Sequence, residues 1–317
     1  MIRLSLVVPV YGVEKYIHRF LASLEKNLQP EMEVLIINDG TKDNSAIIAE
    51  KFANKHCNYV KVINKSNGGV SSAWNKGLEI AKGEYVIFPD PDDFLAEDYV
   101  SNILKAIVDF NNPDMIFFDY YSGSEGQGFK YNTVPDLEEG IVSKEMFIRT
   151  MIKDTYIKGT LWNKAIKKSL YNGLKFDVNI RLGEDYEMLT DLSLKMEHIV
   201  YIRKPLYYYV ERESSITHNV TEKDLSKLLE LNFVRQNKYS KIYQDLSIYV
   251  PVRASLTYLL KLFKDGRNDN TVKYEEYIKN NIRNIIFSSD FDVNEKKQCL
   301  LIYFNIARYY FRKKYKN

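Results

Sequence analysis

The sequence predicts an α/β fold, with a mostly parallel sheet covered by helices on both faces and a helical C-terminal region. Three observations predict it. Short, almost continuous apolar runs alternate with amphipathic stretches over the first 120 residues, as in parallel strands that are buried on both faces. The polar clusters of this half follow the ends of the predicted strands. From Thr221 onward, long helical patterns run to the end.

Five strands are predicted in the first half, and each is an apolar run: LSLVVPV, EVLIIND, YVKVIN, EYVIFP and DMIFFDY. The first is too short for a signal peptide, and Pro9 interrupts it. Helices are predicted between the strands, because apolar residues recur there at helical spacing. Their ranges are Val13–Lys26, Asn44–Lys55, Gly69–Ala81 and Ala96–Phe110.

The alternation loosens after the fifth strand. Residues 121–140 are rich in Gly, Ser, Asn and Glu and are predicted to form a surface excursion. Residues 143–153 and 183–196 have helical patterns, whereas HIVYI and PLYYYV resemble strands.

A domain boundary is predicted between residues 218 and 219, so that the chain comprises a first domain, 1–218, and a helical region, 219–317. Thr221 and Asp224 form a plausible capping box at the start of that region. Four long helices are predicted within it: Glu222–Gln244, Ile248–Lys264, Tyr274–Phe287 and Glu295–Lys314.

Composition excludes several classes of protein. The chain has 317 residues and a net charge of +3, which gives no reason to expect a nucleic-acid partner. No apolar run approaches the roughly 18 residues of a membrane span, so a cytoplasmic protein is expected. The two cysteines, Cys57 and Cys299, stand far apart with no metal-binding spacing, and reduced thiols are expected.

The unusual polar clusters all follow predicted strands. In an open α/β sheet, ligands bind beyond the carboxyl ends of the strands. Asp39 is either a turn residue or a group that accepts from a nucleobase N–H, and paired glycines before a helix allow close approach of an anion. The candidate ligand-binding residues in the loops after the strands are Pro9, Val10, Tyr11, Glu14, Asp39, Asn67, Gly69, Asp90 and Pro91.

The stretch GEYVIFPDPDDFL places three carboxylates, Asp90, Asp92 and Asp93, in four positions around Pro91. One interpretation is structural, with the acids as turn and N-cap residues of the next helix. The alternative is a hard divalent cation, because Mg²⁺ and Mn²⁺ prefer carboxylates, water and phosphate oxygens. Such an ion would hold a diphosphate and neutralise its charge as it leaves.

The ordered stretches LSLVVPVYGVEKYI, VLIINDGTKDNS, NGGVSSAWNKGL and GEYVIFPDPDDF resemble the motifs of inverting family 2 glycosyltransferases with the Rossmann-like GT-A fold. The resemblance covers roughly residues 3–217. It implies that Asp92 binds Mn²⁺ or Mg²⁺ and that Asp90 faces the ribose and the metal shell. Pro9, Tyr11 and Asp39 match positions that hold the nucleotide base.

In LGEDYEM, Glu184 and Asp185 resemble the family's Glu-Asp motif, whose Asp is the base that activates the acceptor. Without the resemblance, acids in a first helical turn need only favour the helix dipole. Two positions depart from the family pattern. Pro91 replaces the usual Ser, and Trp74 stands where Arg is common, which leaves the donor's identity less certain.

Two further residues are candidates. Trp162 is either a core aromatic or a platform on which an acceptor sugar stacks, and Glu184 is placed with it in the acceptor site. His218 is either an ordinary loop residue or a metal or phosphate ligand.

The expected reaction is metal-dependent transfer of a sugar, with inversion, from a nucleotide sugar, with UDP favoured, to an acceptor hydroxyl. The expected acceptor is a saccharide, a lipid-linked sugar or a glycoprotein, in cell-surface polysaccharide or glycoconjugate synthesis. The alternatives are a non-catalytic sugar-nucleotide-binding protein and a nucleotidyltransferase. The aromatic and basic end, ARYYFRKKYKN, favours peripheral contact with the inner face of the cell membrane, a homodimer through the helical tail, or plain packing.

Overall fold

The computed structural model describes residues 2–124, 126–153, 156–212, 221–240, 242–243, 248–264, 267, 271–288 and 290–314. The chain divides into two compact units, Met1–His218 and Asn219–Asn317. The sequence places its boundary at the same residues. The division of roles between the first domain and the helical region remains a prediction.

The first unit is built on one ten-stranded sheet. Its strands form where β-branched and aromatic residues cluster, because such side chains pack well on a pleated surface. The strands are β1 Leu4–Val10, β2 Met32–Asn38, β3 Val60–Asn64, β4 Tyr85–Ile87, β5 Phe94–Leu95, β6 Met115–Ser124, β7 Gly128–Asn132, β8 Gly140–Val142, β9 Lys164–Lys167 and β10 Ile199–Val210.

The strand order is β3-β2-β1-β4-β9-β6-β10-β5, with β7 on β6 and β8 on β10. The β3-β2-β1-β4 part is parallel throughout, as the sequence predicts. The sheet as a whole is mixed, because β9 inserts antiparallel between β4 and β6. Because β6 and β10 also pair in parallel, the expectation of a mostly parallel sheet holds for the β3-β2-β1-β4 part and for that pair.

Helices pack on this sheet through apolar stripes. Their ranges in the first unit are α1 Ile17–Glu25, α2 Ser45–Lys55, α3 Val70–Ile80, α4 Tyr99–Asp109, α5 Lys144–Lys153 and α6 Glu184–Lys195, with a 3₁₀ turn at Lys168–Tyr171. The α3 helix lies close against β1, because Gly77 has no side chain where Val7 projects. A Cβ at Gly77 would stand 2.1 Å from Val7 Cγ1.

The structure adds detail to two predictions about the middle of the chain. The predicted surface excursion begins as a continuation of β6 and forms a hairpin with β7. HIVYI and PLYYYV, which resemble strands in the sequence, belong to one strand, β10, whose register with β6 shifts around Pro205. Pro205 lacks the N–H that a regular ladder needs, so the strand continues past it with an irregularity.

The second unit is helical over its described residues. Its helices are α7 Glu222–Ser240, α8 Tyr249–Lys264, α9 Val272–Asn280, α10 Ile282–Phe287, α11 Val293–Tyr303 and α12 Ala307–Lys314. Two predicted helices are thus each divided into two, at Asn281 and at residues 304–306. Asp292 and Glu295 close a capping box at the start of α11. Among the helices that the structure describes, none combines the length and apolar character that crossing a membrane requires.

Candidate active site

The three clustered carboxylates lie in a tight turn directly after β4. The backbone N–H of Asp93 donates to the carbonyl oxygen of Asp90 at 3.2 Å, which closes the turn. Pro91 is buried inside it, and its fixed φ stiffens the loop. Pro91 therefore shapes the loop and has no polar side-chain group to offer a ligand.

Asp93 anchors this turn to β10. Its two carboxylate oxygens accept from the Tyr207 hydroxyl at 2.9 Å and from the backbone N–H of Val210 at 2.8 Å. The same hydroxyl oxygen accepts from the N–H of Asp90 at 2.9 Å. Burial raises the pKa of Asp93 to about 7, against the lowering effect of these donors and of Arg19. The role of Asp93 is to fix the direction of its neighbours.

The remaining carboxylates suit a hard cation. One carboxylate oxygen each from Asp90, Asp92 and Asp93 lies within 4.8 Å of the others. Because Asp93 already uses both oxygens, Asp90 and Asp92 are left to face a ligand. A pair of carboxylates completed by water and phosphate oxygens is the donor set that Mg²⁺ and Mn²⁺ favour. These residues therefore fit the metal that the sequence predicts.

Two arginines lie on either side of Asp92. Arg19, on α1, donates to the carbonyl oxygen of Asp92 at 2.5 Å and lies 5.0 Å from the centre of the Phe94 ring. Arg212, directly after β10, forms an ion pair with the Asp92 carboxylate. Its guanidinium lies 4.5 Å from the centre of the Tyr16 ring.

The second acidic motif begins α6. Gly183 caps the helix in the left-handed region, with φ at 88°, which a glycine adopts without strain. Asp185 Oδ1 accepts from the N–H of Tyr186 at 2.7 Å. Glu184 Oε2 is buried and has no hydrogen-bond partner within the described parts of the chain.

The fold brings the two acidic motifs together. The pKa of Asp90 is raised well above its usual value by burial first, then by the charges of Asp93, Asp185 and Glu184. Burial, followed by the Asp185 charge, raises the pKa of Glu184 to about 8. Residues about 90 positions apart in the chain therefore share one space whose negative charge favours a cation or a proton.

The loop after β2 is organised by Asp39, which is only 3% exposed. Its carboxylate accepts from Lys65 Nζ at 2.5 Å and from the N–H groups of Gly68 and Gly69, the shorter of these at 2.7 Å. Asp39 thus holds the glycine-rich loop in place. A nucleobase N–H would have to share or replace one of these donors, and contact with the base remains a prediction.

The candidate ligand-binding residues in the loop after β1 differ in their exposure and in their hydrogen bonds. Tyr11 is 52% exposed and Pro9 is half-buried, so both can face a ligand. Val10 is fully buried and its carbonyl oxygen accepts from the N–H of Asp39. The Glu14 carboxylate accepts from the side chain and the N–H of Asn44. Val10 and Glu14 therefore stabilise the loop, and their positions do not favour direct contact with a sugar nucleotide.

The loop after β3 carries two candidate ligand-binding residues that are exposed. Asn67 and Gly69 are both exposed, and Gly69 has φ at 83° at the start of α3. Its backbone conformation and its missing side chain leave room for close approach of a ligand at this helix start.

The two tryptophans belong to the core. Trp162 is 6% exposed and stacks on Tyr207 at 4.7 Å between ring centres. The prediction that it is an open platform for an acceptor sugar is therefore wrong. Trp74 is equally buried and packs on Phe88 and Phe176, so it fills space near the site without replacing the charge of an arginine. His218 lies outside the described residues.

Sequence reasoning missed Arg212, Arg19 and Tyr207. A signal existed for Arg212, because it stands just past the end of a strand, where the other site loops were found. Nothing in the sequence marks Arg19, which lies within the amphipathic α1, or Tyr207, one of 25 tyrosines.

Comparison with known proteins adds a family match. The sequence model described as Glycosyl transferase family 2 matches residues 5–172. The glycosyltransferase GlyG of Streptococcus pneumoniae is 30% identical over 82% of this chain and 87% of its own length. The glycosyltransferase GlyA of the same species is 31% identical over 72% of this chain, which spans only 33% of that longer protein.

Solved structures show the same fold. The structure of Staphylococcus aureus TarS 1–349 in complex with UDP-GlcNAc has a TM-score of 0.74 at 19% identity, over 99% of this chain and 92% of that one. The mannosyltransferase PcManGT from Pyrobaculum calidifontis, in complex with GDP-Man and Mn²⁺, has a TM-score of 0.51 at 14% identity, over 99% of this chain and 88% of that one.

Proposed function

The chain belongs to glycosyl transferase family 2, and from this premise we propose that it is a metal-dependent, inverting enzyme that uses a UDP-sugar. Family membership and the GT-A fold make it a glycosyltransferase. The single observation that carries the finer proposal is that Asp90, which shares its turn with Asp92, lies close enough to Glu184 and Asp185 for their charges to raise its pKa. This arrangement supplies both a cation site and a base.

The donor proposal has support from a neighbour in fold. TarS binds UDP-GlcNAc in its solved complex, which favours a UDP-hexose or a UDP-N-acetylhexosamine for this chain. Tyr11 and Pro9 would face the base and ribose, and Asn67 and Gly69 would approach the phosphates from the start of α3. Asp39 would act mainly by holding that loop.

Asp92 and Asp90 would hold Mn²⁺ or Mg²⁺, the first of which is present in the PcManGT complex. When bound, the ion would neutralise the charge that develops on the diphosphate leaving group. Asp93 keeps the turn rigid through Tyr207 and Val210. Arg19 fixes the backbone of Asp92, so the carboxylate is held in place before any ligand arrives.

Asp185 is the proposed base. Its Oδ1 accepts from the N–H of Tyr186, and its carboxylate would take the proton of the acceptor hydroxyl. The acceptor oxygen forms its bond to the anomeric carbon from the face opposite the diphosphate, while the bond to the diphosphate oxygen breaks. The configuration therefore inverts. Glu184, whose pKa is raised to about 8, would be mostly neutral near pH 7 and would bind the acceptor as a hydrogen-bond donor.

The acceptor proposal is a saccharide or a lipid-linked sugar in cell-surface polysaccharide synthesis. The second unit supports a peripheral membrane contact, because α11 and α12 expose aromatic and basic side chains together. An enzyme in the cytoplasm, bound at the inner face of the membrane, would be consistent with both the proposed acceptor and this aromatic and basic surface. A homodimer through the helical tail is the alternative use of that surface.

Product analysis tests this proposal. A panel of UDP-, GDP- and dTDP-sugars with Mn²⁺ should give thermal stabilisation and release of the nucleoside diphosphate with a UDP-sugar. NMR of the transferred sugar should show a β-linkage from an α-linked donor. Retention of configuration would refute inversion, and preference for another nucleotide would refute the UDP assignment.

A further inference from the structure

Arg212 occupies a place that the proposed mechanism does not use. Its guanidinium is ion-paired with the Asp92 carboxylate and lies over the Tyr16 ring, 4.5 Å from its centre. Tyr16 ends the loop after β1, so Arg212 links this loop to the proposed metal ligand. The ion pair joins two residues 120 positions apart.

The fold has other means of shaping this turn. Asp93 ties it to β10 through Tyr207 and Val210, and Arg19 holds the carbonyl oxygen of Asp92. The Arg212 ion pair instead engages the one carboxylate that would bind a metal. The two side chains are 23% and 14% exposed, so solvent and small ions can reach the pair.

Charge explains why a guanidinium lies here. Asp90 and Asp92 share one turn, and the charges of Asp185 and Glu184 act on Asp90, so this acidic region attracts a cation. Arg212 lowers the pKa of Asp90, so its charge acts beyond its direct partner. A divalent ion on the same Asp92 oxygen would compete with the guanidinium for space and would repel it.

We propose that Arg212 and the divalent cation are alternative partners of Asp92: the guanidinium holds the carboxylate in the metal-free enzyme and is displaced when the metal binds. Arg212 is thus a positioning residue that keeps the empty site charge-balanced and lowers its metal affinity. The inference rests on the proposed metal site and adds the exchange to it.

Binding of Mn²⁺ in the absence of a sugar nucleotide measures directly the exchange of Arg212 for the metal on Asp92. Isothermal titration of the full chain compares wild type with Arg212→Gln. Removing a partly exposed ion pair that competes with the metal should tighten Mn²⁺ binding about fivefold or more. Arg203→Gln, on the same strand with an exposed side chain, removes an equal charge elsewhere and should change the affinity by less than about twofold.

Three further measurements separate competition from a general effect of charge. In an Asp92→Asn background, Arg212→Gln should no longer change Mn²⁺ affinity, because the shared carboxylate is gone. In EDTA, Arg212→Gln should lower the thermal midpoint, and Mn²⁺ should restore it more than it stabilises wild type. Tyr16→Leu, which removes the ring under the guanidinium, should shift Mn²⁺ affinity in the same direction by a smaller factor.

The outcomes are distinct. Tighter binding by Arg212→Gln that disappears in the Asp92→Asn background supports the exchange. Unchanged or weaker Mn²⁺ binding by both Arg212→Gln and Tyr16→Leu overturns the exchange. If wild type still binds Mn²⁺ in that case, the proposed metal site is not contradicted. Absence of Mn²⁺ binding in wild type and in both variants overturns the exchange and the metal proposal together.

Discussion

At the scale of single residues, the site gives one type of side chain several roles through its surroundings. Asp93 is buried and uses both oxygens on β10, whereas Asp92 is paired with a guanidinium. One oxygen of Asp185 accepts from the N–H of the next residue at the start of its helix. Position relative to fixed donors, rather than residue type, separates the anchor from the proposed metal ligand and the proposed base.

Asp185→Asn removes the charge of the proposed base and keeps its shape. Binding of a UDP-sugar, measured by titration, should be nearly unchanged, because the proposed contacts with the sugar nucleotide are made by other residues. Turnover should fall about 10²–10⁴-fold, the usual contribution of general base assistance. Asp191→Asn, on the same helix, is the control and should stay near wild type. Retention of more than about a tenth of wild-type turnover by Asp185→Asn would exclude it as the base.

Glu184 predicts a pH dependence of stability. Its pKa is raised in the folded chain to about 8 from 4.5, so the folded state holds a proton that the unfolded state releases. Stability from this group is present below about pH 4.5 and is lost as the pH rises through about 8. One such group contributes a slope of at most about 1.4 kcal/mol per pH unit.

Glu184→Gln should flatten this decline in EDTA, as followed by urea unfolding from pH 5 to 8. The raised pKa values of Asp90 and Asp93 act in the same direction, so part of the slope should remain. Glu187→Gln, three residues along α6, is the matched control. Superimposable pH profiles for wild type and Glu184→Gln would contradict the assignment.

Single residues also show how far the sequence could go. The acids at 90–93 and 184–185 were identifiable because they follow a strand or begin a helix within a known motif order. Asp39 was found, but its donors were not, because Lys65 and Gly68 approach it only through the folding of a separate loop. Trp162 stayed between two interpretations, because an aromatic residue near a site shows the same sequence pattern whether it is stacked in the core or exposed.

At the scale of elements, the contact between β1 and α3 positions the loop of Asn67 and Gly69. Gly77→Ala places a Cβ 2.1 Å from Val7 Cγ1, inside a fully buried contact. Overpacking costs about 1–3 kcal/mol, which should exceed the gain of about 1 kcal/mol in helix propensity. The thermal unfolding midpoint should therefore fall, although alanine favours a helix.

Val7→Ala supplies the control for this contact. In that background the added methyl group has room, so Gly77→Ala should cost less than in wild type, and the two changes should be non-additive. Two results would show that α3 does not depend on this close approach. One is an equal loss of folding stability from Gly77→Ala in both backgrounds, and the other is a Gly77→Ala single variant as stable as wild type.

Elements were predictable where the pattern is periodic and local. The β1 to β4 strands and α1 to α4 were found from continuous apolar runs and helical stripes. The short strands β5 and β9 were missed, because two to four residues are too few to show a period and their pairing depends on distant partners. The β6–β7 hairpin was missed because its exposed, polar residues carry a weak strand signal.

At the scale of the whole molecule, the second unit presents a surface with two properties. Residues 296–314 include six basic residues and no acidic one. The same stretch exposes apolar side chains of Leu300, Tyr303, Phe304, Ile306 and Tyr309, by 37–71%. An aromatic and basic surface of this kind suits an interface with anionic lipid.

Neutralising Arg312, Lys313, Lys314 and Lys316 with glutamine should weaken binding to anionic vesicles by at least about tenfold, since each basic residue near such a surface contributes about 1 kcal/mol. Transfer to a lipid-linked acceptor should slow, and donor hydrolysis should not. Lys15, Lys42, Lys51 and Lys61 are exposed on the first unit, and their joint replacement is the control. Equal vesicle binding by all three proteins would favour packing or dimerisation.

Asp92 is the residue that is proposed to make sugar transfer metal-dependent. The direct measurement is UDP release from a UDP-sugar by wild type and by Asp92→Asn, each in Mn²⁺ and in excess EDTA, with circular dichroism to confirm folding. We expect release only by wild type in Mn²⁺, with a loss of at least about a hundredfold in the other three conditions. Full turnover by folded Asp92→Asn, or by wild type in EDTA, would contradict it.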